Sequence, residues 1–137
     1  ASDFSLKHMI VDKKAWSLDS EVEYLRCFDI GIMPMPDDMW TRGKGGYKLL
    51  QYMAVGLPVI TSPVGINREI VEDGIEGFWA RNMDDWIKSI TDLARDEGLR
   101  QKMGTLGRKK MEAHYALEAA QERLGELLGE VVGARDV

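Results

Sequence analysis

Asp29 to Thr61 reads DIGIMPMPDDMWTRGKGGYKLLQYMAVGLPVIT, and this stretch decides the fold. Asp29-Ile30-Gly31-Ile32-Met33 is apolar without alternation, the pattern of a strand buried on both faces. Pro34 and Pro36 stop it, and Asp37 to Gly43 reads as a loop. From Gly46 to Val55, Tyr47, Leu50, Met53 and Ala54 recur at helical spacing, and Gly56 stands where a helix ends. Pro58-Val59-Ile60-Thr61 reads as the next strand. A strand, a helix and a strand in that order predict a parallel pair joined by a crossover.

The same alternation continues outward. His8-Met9-Ile10-Val11 reads as a short strand ending at Asp12. Ser17 or Asp19 caps a helix running to about Phe28, with Val22, Leu25 and Cys27 or Phe28 on its apolar side. Arg68 to Glu72 is one helical turn, and Glu76 to Ala80 a short strand after the Asp73-Gly74 turn. Asn82 and Asp85 open a helix carrying Trp86, Ile87, Ile90 and Leu93 on one face, and Gly98 to about His114 is another. Leu117, Ala120, Leu124, Leu127, Leu128 and Val131 give the clearest amphipathic pattern. The expected fold class is α/β: a partial Rossmann-like parallel sheet of about four strands, flanked by helices and followed by C-terminal helices. Ligands of such sheets sit outside the carboxyl ends of the strands. A site is therefore expected from three loops, Pro34 to Gly46, Ser62 to Arg68, and Asp12 to Asp19.

Bulk properties narrow the function. A chain of 137 residues fits one domain, and 45% apolar residues can bury a core. A net charge of -5 argues against general nucleic-acid binding. Cys27, the single cysteine, excludes an internal disulfide and suits a reducing compartment. No signal-peptide pattern is present, and the apolar runs fall far short of the ~20 residues that span a bilayer.

Gly43-Lys44-Gly45-Gly46 stands between a strand and a helix N-terminus. Glycines let backbone approach an anion, free N–H groups and the helix dipole favour phosphate, and Lys44 and Lys48 add charge. The P-loop pattern fails, because no Ser or Thr follows Lys44, and Gly-x-Gly-x-x-Gly spacing is absent. Two readings stay open from the loop alone: a phosphate cradle, or a turn with solvated lysines. Trp40 faces either a sugar ring or its own domain, and Glu69 either meets a ligand or ties its own turn. His8 and His114 lie apart with no ligand cluster near them, so no metal and no cofactor are expected.

Four ordered pieces carry a resemblance: Asp29-Ile30-Gly31; Lys48-Leu49-Leu50-Gln51-Tyr52-Met53-Ala54-x-Gly56-x-Pro58-Val59; Gly65-x-x-x-Glu69-Ile70-Val71; and Asp73-Gly74-x-x-Gly77-Phe78. With Leu99-Arg100-x-x-Met103-Gly104 and a long closing helix, they make the chain resemble the donor-binding domain of family-4 retaining glycosyltransferases of the GT-B fold. The resemblance implies transfer of a hexose from a nucleotide-sugar donor to a glycan or lipid-linked acceptor. It implies donor binding by Gly43, Lys44, Gly45, Gly46, Tyr47, Lys48 and Gln51, with Trp40 and Glu69 as further candidates. The family places a Glu pair where this chain has Gly43 and Gln51; Gln51 can still hydrogen-bond two hydroxyls, whereas Gly43 cannot replace a carboxylate. The catalytic residues are therefore left unassigned, and a non-catalytic nucleotide- or phosphate-binding module, or an assembly domain, is the alternative.

Measured against that family, residues 1–137 form one incomplete C-terminal nucleotide-sugar-binding domain. The strand at Met9 to Val11 corresponds to the family's third, and the next three to its fourth, fifth and sixth. The acceptor is expected to bind through a missing N-terminal domain, leaving the isolated chain inactive. An unpaired edge on the fourth strand makes a dimer one expected consequence. Arg108-Lys109-Lys110 reads as a solvated face, with weak membrane-surface association as its alternative, so the expected location is cytoplasmic or peripheral at the inner membrane face.

Overall fold

The computed structural model describes residues 10–15 and 17–133. Three strands, β1 (Gly31–Met33), β2 (Val59–Thr61) and β3 (Gly77–Trp79), form one parallel sheet in the order β1-β2-β3. The register pairs Ile32 with Ile60, and Ile60 with Phe78. Seven helices complete the description: α1 (Leu18–Arg26), α2 (Met39–Arg42), α3 (Tyr47–Ala54), α4 (Asn67–Ile70), α5 (Met83–Arg95), α6 (Glu97–His114) and α7 (Leu117–Gly133).

Side-chain alternation on β2 divides the core in two. Val59 packs with Leu49 and Met53 of α3 and with Ile70 and Val71 at α4. Its neighbour Ile60 points the other way, to Ala80, Leu93 of α5 and Met103 of α6. Long α6 serves both clusters, with Met103 in one and Met111 against the other. It reaches α3 through Gly104, where an added Cβ would stand 1.9 Å from the Gly56 carbonyl oxygen. The helix starts are chemically marked. Asn82 accepts from Asp85 N–H at 2.9 Å, and Asp96 accepts from Leu99 N–H at 2.8 Å, each satisfying a donor the helix leaves free.

The structure corrects four expectations. The sheet has three strands among the described residues rather than about four. His8 and Met9 lie outside the described residues, and Ile10 and Val11 join no strand; Ile10 is 99% exposed. The stretch of Asp29 to Met33 is not buried on both faces, because β1 has no described neighbour on its outer side and Ile32 lies beyond the cover of α5 and α6, 48% exposed. Asp37 to Gly43 is not wholly loop, since Asp38 and Thr41 cap each other and nucleate α2. On α1 only Leu25 of the expected apolar side is buried. The amphipathic stripe of α7 remains open too, with Leu117, Leu124, Leu127 and Leu128 all more than half exposed.

Two helical glycines should respond oppositely to a side chain. Gly104→Val drives carbons into backbone at Gly56 and should cost about 3 kcal/mol. Gly125→Ala meets nothing within 4 Å and should add about 0.5–1 kcal/mol. Urea denaturation midpoints of the two variants check both signs.

Candidate functional site

The loops at the carboxyl ends of the strands are built from short, strongly tied turns. After β1, Asp38 Oδ1 accepts from Thr41 N–H at 2.8 Å, and Asp38 N–H donates to Thr41 Oγ1 at 3.2 Å. The buried Thr41 hydroxyl donates back to the Pro36 carbonyl at 2.5 Å. Arg42 Nε donates to Asp37 Oδ1 at 2.6 Å. These bonds set the local electrostatics: the Arg42 guanidinium holds the Asp37 carboxyl below its ordinary range. The Thr41 backbone N–H does the same for Asp38, with a smaller contribution from the charge of Lys44.

The glycine loop then turns the chain into α3. Gly46 is the N-cap residue, left-handed at φ 63°, and a Cβ there would stand 2.3 Å from Ile70 Cδ1. Only glycine combines that backbone with that contact. A glycine cap has no side chain to satisfy the helix start, and the N–H groups of Gly45, Gly46, Tyr47 and Lys48 find no acceptor among the described residues. Lys44 and Tyr47 are exposed beside them. On α2, Met39 is 91% and Trp40 79% exposed, so Trp40 does not pack into its own domain.

The remaining candidates divide. Lys48 pairs with Glu21 of α1 at 3.3 Å. The two side chains line a cavity of about 750 Å³ between Asp12, Lys14, Ala15 and Ser17 on one side and α1 and α3 on the other, to which Leu25, Phe28 and Tyr52 give apolar walls. Gln51, one turn further along α3, has its Oε1 shielded from solvent and without a hydrogen-bond partner among the described residues. A buried acceptor left open is costly until a donor reaches it. Glu69 stands apart from the loop, exposed on α4, where its charge reaches Tyr115; burial first, then Glu69 and Glu76, push the Tyr115 hydroxyl up.

Sequence reasoning missed the residue that ties these loops together. Asn67 is 1% exposed, and its Nδ2 donates to Thr61 Oγ1 at 3.0 Å and to the Ser62 carbonyl at 3.1 Å. Ser62 Oγ in turn accepts from Met35 N–H at 3.0 Å. Ser62 and Arg68 bound one of the loops expected to form a site but carried no assigned role, and Arg81 went unnoticed; with Met35, Asp37 and Val64 they line a recess of about 400 Å³ over the ends of all three strands. No motif marks the group, because Met35 and Asp37 follow β1, Ser62 and Arg68 follow β2, and Arg81 follows β3. The Arg108-Lys109-Lys110 run is partly neutralised, Arg108 by Glu112 at 2.8 Å and Lys110 by the buried Glu76 at 3.3 Å. Among the described residues no helix is long and apolar enough to cross a membrane, and no three His, Cys, Asp or Glu side chains gather to hold a metal.

Comparison with known proteins bears on this arrangement directly. The sequence pattern of the family described as Glycosyl transferases group 1 matches residues 13–96. The chain belongs to that family. It is 31% identical over 75 residues to spore coat protein SA of Bacillus subtilis (strain 168), an alignment covering 53% of the chain and 20% of that protein. The chain thus spans about a fifth of that relative's length. Its fold is similar to that of sucrose-phosphate synthase from Thermosynechococcus elongatus, with a TM-score of 0.63 at 21% identity over 81% of this chain and 27% of that one. The parallel sheet is therefore that of a GT-B Rossmann-like domain.

Two measurements check the loop scaffold of this group 1 member. Asn67→Ala removes three donor contacts from a buried position and should destabilise the chain by about 1–3 kcal/mol, read as a lowered urea midpoint. In a carboxyl NMR titration, Asp37 should titrate below the ordinary aspartate range, and Arg42→Gln should move it upward. The folded pKa lies below the unfolded one, so the pair's stabilisation is present above the unfolded value and is lost as pH falls through the folded value.

Proposed function

We propose that this chain supplies part of the nucleotide-sugar donor site of a glycosyltransferase that moves a hexose to a glycan or lipid-linked acceptor. The observation that carries the reading is the amino terminus of α3: four N–H groups without an acceptor among the described residues, led by a left-handed Gly46, at the carboxyl end of a parallel strand. That is an anion site by backbone geometry and helix dipole together. The donor diphosphate lies against Gly43, Lys44, Gly45 and Gly46, with Tyr47 and Trp40 exposed to the sugar side. The cavity beside Lys48 has the volume for a nucleoside, and pockets of 300–1,000 Å³ are the usual range for small ligands. Gln51 Oε1 is the acceptor left open for a hydroxyl proton. These residues bind and orient; the group that promotes departure of the nucleoside diphosphate is not assigned to this chain. Residues 1–137 act as one incomplete donor domain, and the body of the acceptor is held by a separate domain, in a cytoplasmic protein.

Lys44→Ala should weaken binding of a nucleotide sugar by roughly fivefold to a hundredfold, the span between a solvated and a desolvated lysine–phosphate contact. Calorimetry with UDP-glucose and GDP-mannose as probes measures it, and thermal melts should stay unchanged. Affinity equal to that of the unaltered chain for every nucleotide sugar that binds would sink the cradle. The 137-residue chain alone should release no nucleotide steadily from a bound donor when an acceptor is supplied; turnover by the pure chain would overturn the division of the two sites.

A further inference from the structure

Resting on that reading, we infer that the recess at the carboxyl ends of the three strands is a second oxyanion site, centred on Arg68, for a carboxylate or phosphate carried by the acceptor. Helix α4 stands between the two sites. On its single turn, Asn67 and Ile70 face Gly46: a Cβ on Gly46 would stand 3.3 Å from Asn67 Oδ1 and 2.3 Å from Ile70 Cδ1. Arg68, on the same turn, lines the recess instead. The donor cradle and the recess therefore flank one rigid turn.

Around this recess and the smaller one beside it, which Arg42 lines, the charges are unequal in freedom. Arg42 is engaged by Asp37 at 2.6 Å. Arg81 is engaged by Asp73 at 3.7 Å and lies 5.4 Å from the centre of the Trp79 ring. Arg68 is held only at its root, where Nε donates to the Pro63 carbonyl at 2.5 Å. Its two terminal nitrogens have no hydrogen-bond acceptor among the described residues. The guanidinium is thus aimed and anchored while keeping the paired donors that bind an oxyanion in two places. Ser62, 9% exposed, adds a hydroxyl whose oxygen already accepts from Met35 N–H and whose proton is left to donate.

The ground below is firm. A Cβ on Gly65 would stand 2.6 Å from the Arg42 carbonyl oxygen, so the loop carrying Arg68 sits directly on the end of α2. Asp37 borders both this recess and the smaller one it shares with Arg42 and Arg68, and its carboxyl is lowered by Arg42 and, more weakly, by Arg68. Asp37 offsets Arg42 and Asp73 offsets Arg81, which leaves Arg68 as the cation with no ion pair among the described residues. A neutral sugar gains nothing from that field, whereas a sugar acid or sugar phosphate does.

The test is an NMR titration of the chain labelled with ¹⁵N, using glucuronate, glucose 6-phosphate, glucose and inorganic phosphate as probes. Glucuronate or glucose 6-phosphate should shift the Arg68 Nε–H and the Ser62 and Val64 amides, and glucose should not. Arg68→Gln should weaken the binding about tenfold to a hundredfold, and Arg68→Lys, which keeps the charge without the fork, by less. The Lys44→Ala variant should leave it unchanged. No shift at Arg68 with either acidic sugar, or an equal shift in Arg68→Gln, overturns the inference. Inorganic phosphate binding as tightly as glucose 6-phosphate overturns the assignment to an acceptor. A parallel UDP titration read at Gly45 and Gly46 reports on the donor cradle separately, so either site can fail while the other stands.

Discussion

Burying an amide obliges the chain around it to supply partners, and Asn67 is where this protein meets that obligation. Its Nδ2 reaches the Thr61 hydroxyl at the end of β2 and the Ser62 carbonyl just beyond. Through Ser62 the constraint passes to Met35, after β1, and the Thr61 hydroxyl reaches the Met33 carbonyl at 3.2 Å. Two adjacent strand ends and one helical turn are thereby fixed as a unit. The same side chain bounds the space around Gly46, so the position of the α3 amino terminus depends on it. A buried hydrogen-bond network of this kind contributes little net stability per bond, but leaving one member unpaired is expensive. It fixes geometry more than it adds stability.

The parts of the fold set by local chemistry were legible in the sequence. The helix start at Asn82, the left-handed Gly56 and the parallel order of three strands follow from capping, backbone freedom and the β–α–β alternation. What could not be read depended on neighbours. Ile32 has the composition of an interior strand residue and lies on an edge, because burial is decided by what stands alongside. The Asp38–Thr41 box was present in the sequence as a capping signal but was read as loop, since the run after it is only four residues long.

The site divides along the same line. Gly43 to Lys48 is contiguous, so its juxtaposition with a helix start could be read directly. Gln51 was marked by resemblance, and its unpartnered oxygen is a feature only coordinates could provide. Ser62 and Arg68 bound a loop already expected to form a site, but their meeting with Arg81 from beyond β3 follows no spacing rule and is visible only in three dimensions.

Long α6 has a mechanical consequence. Met103 packs on the Ile60 side of the sheet and Met111 on the Val59 side, while Gly104 is pressed against the end of α3. Neither half of the core can loosen without disturbing a helix that the other half also holds. The two clusters are thus coupled into one cooperative unit, and partial opening of either face is disfavoured relative to unfolding of the whole. Rigidity at the carboxyl ends of the strands is therefore maintained partly from the opposite end of the molecule, by a helix that contributes no residue to either recess.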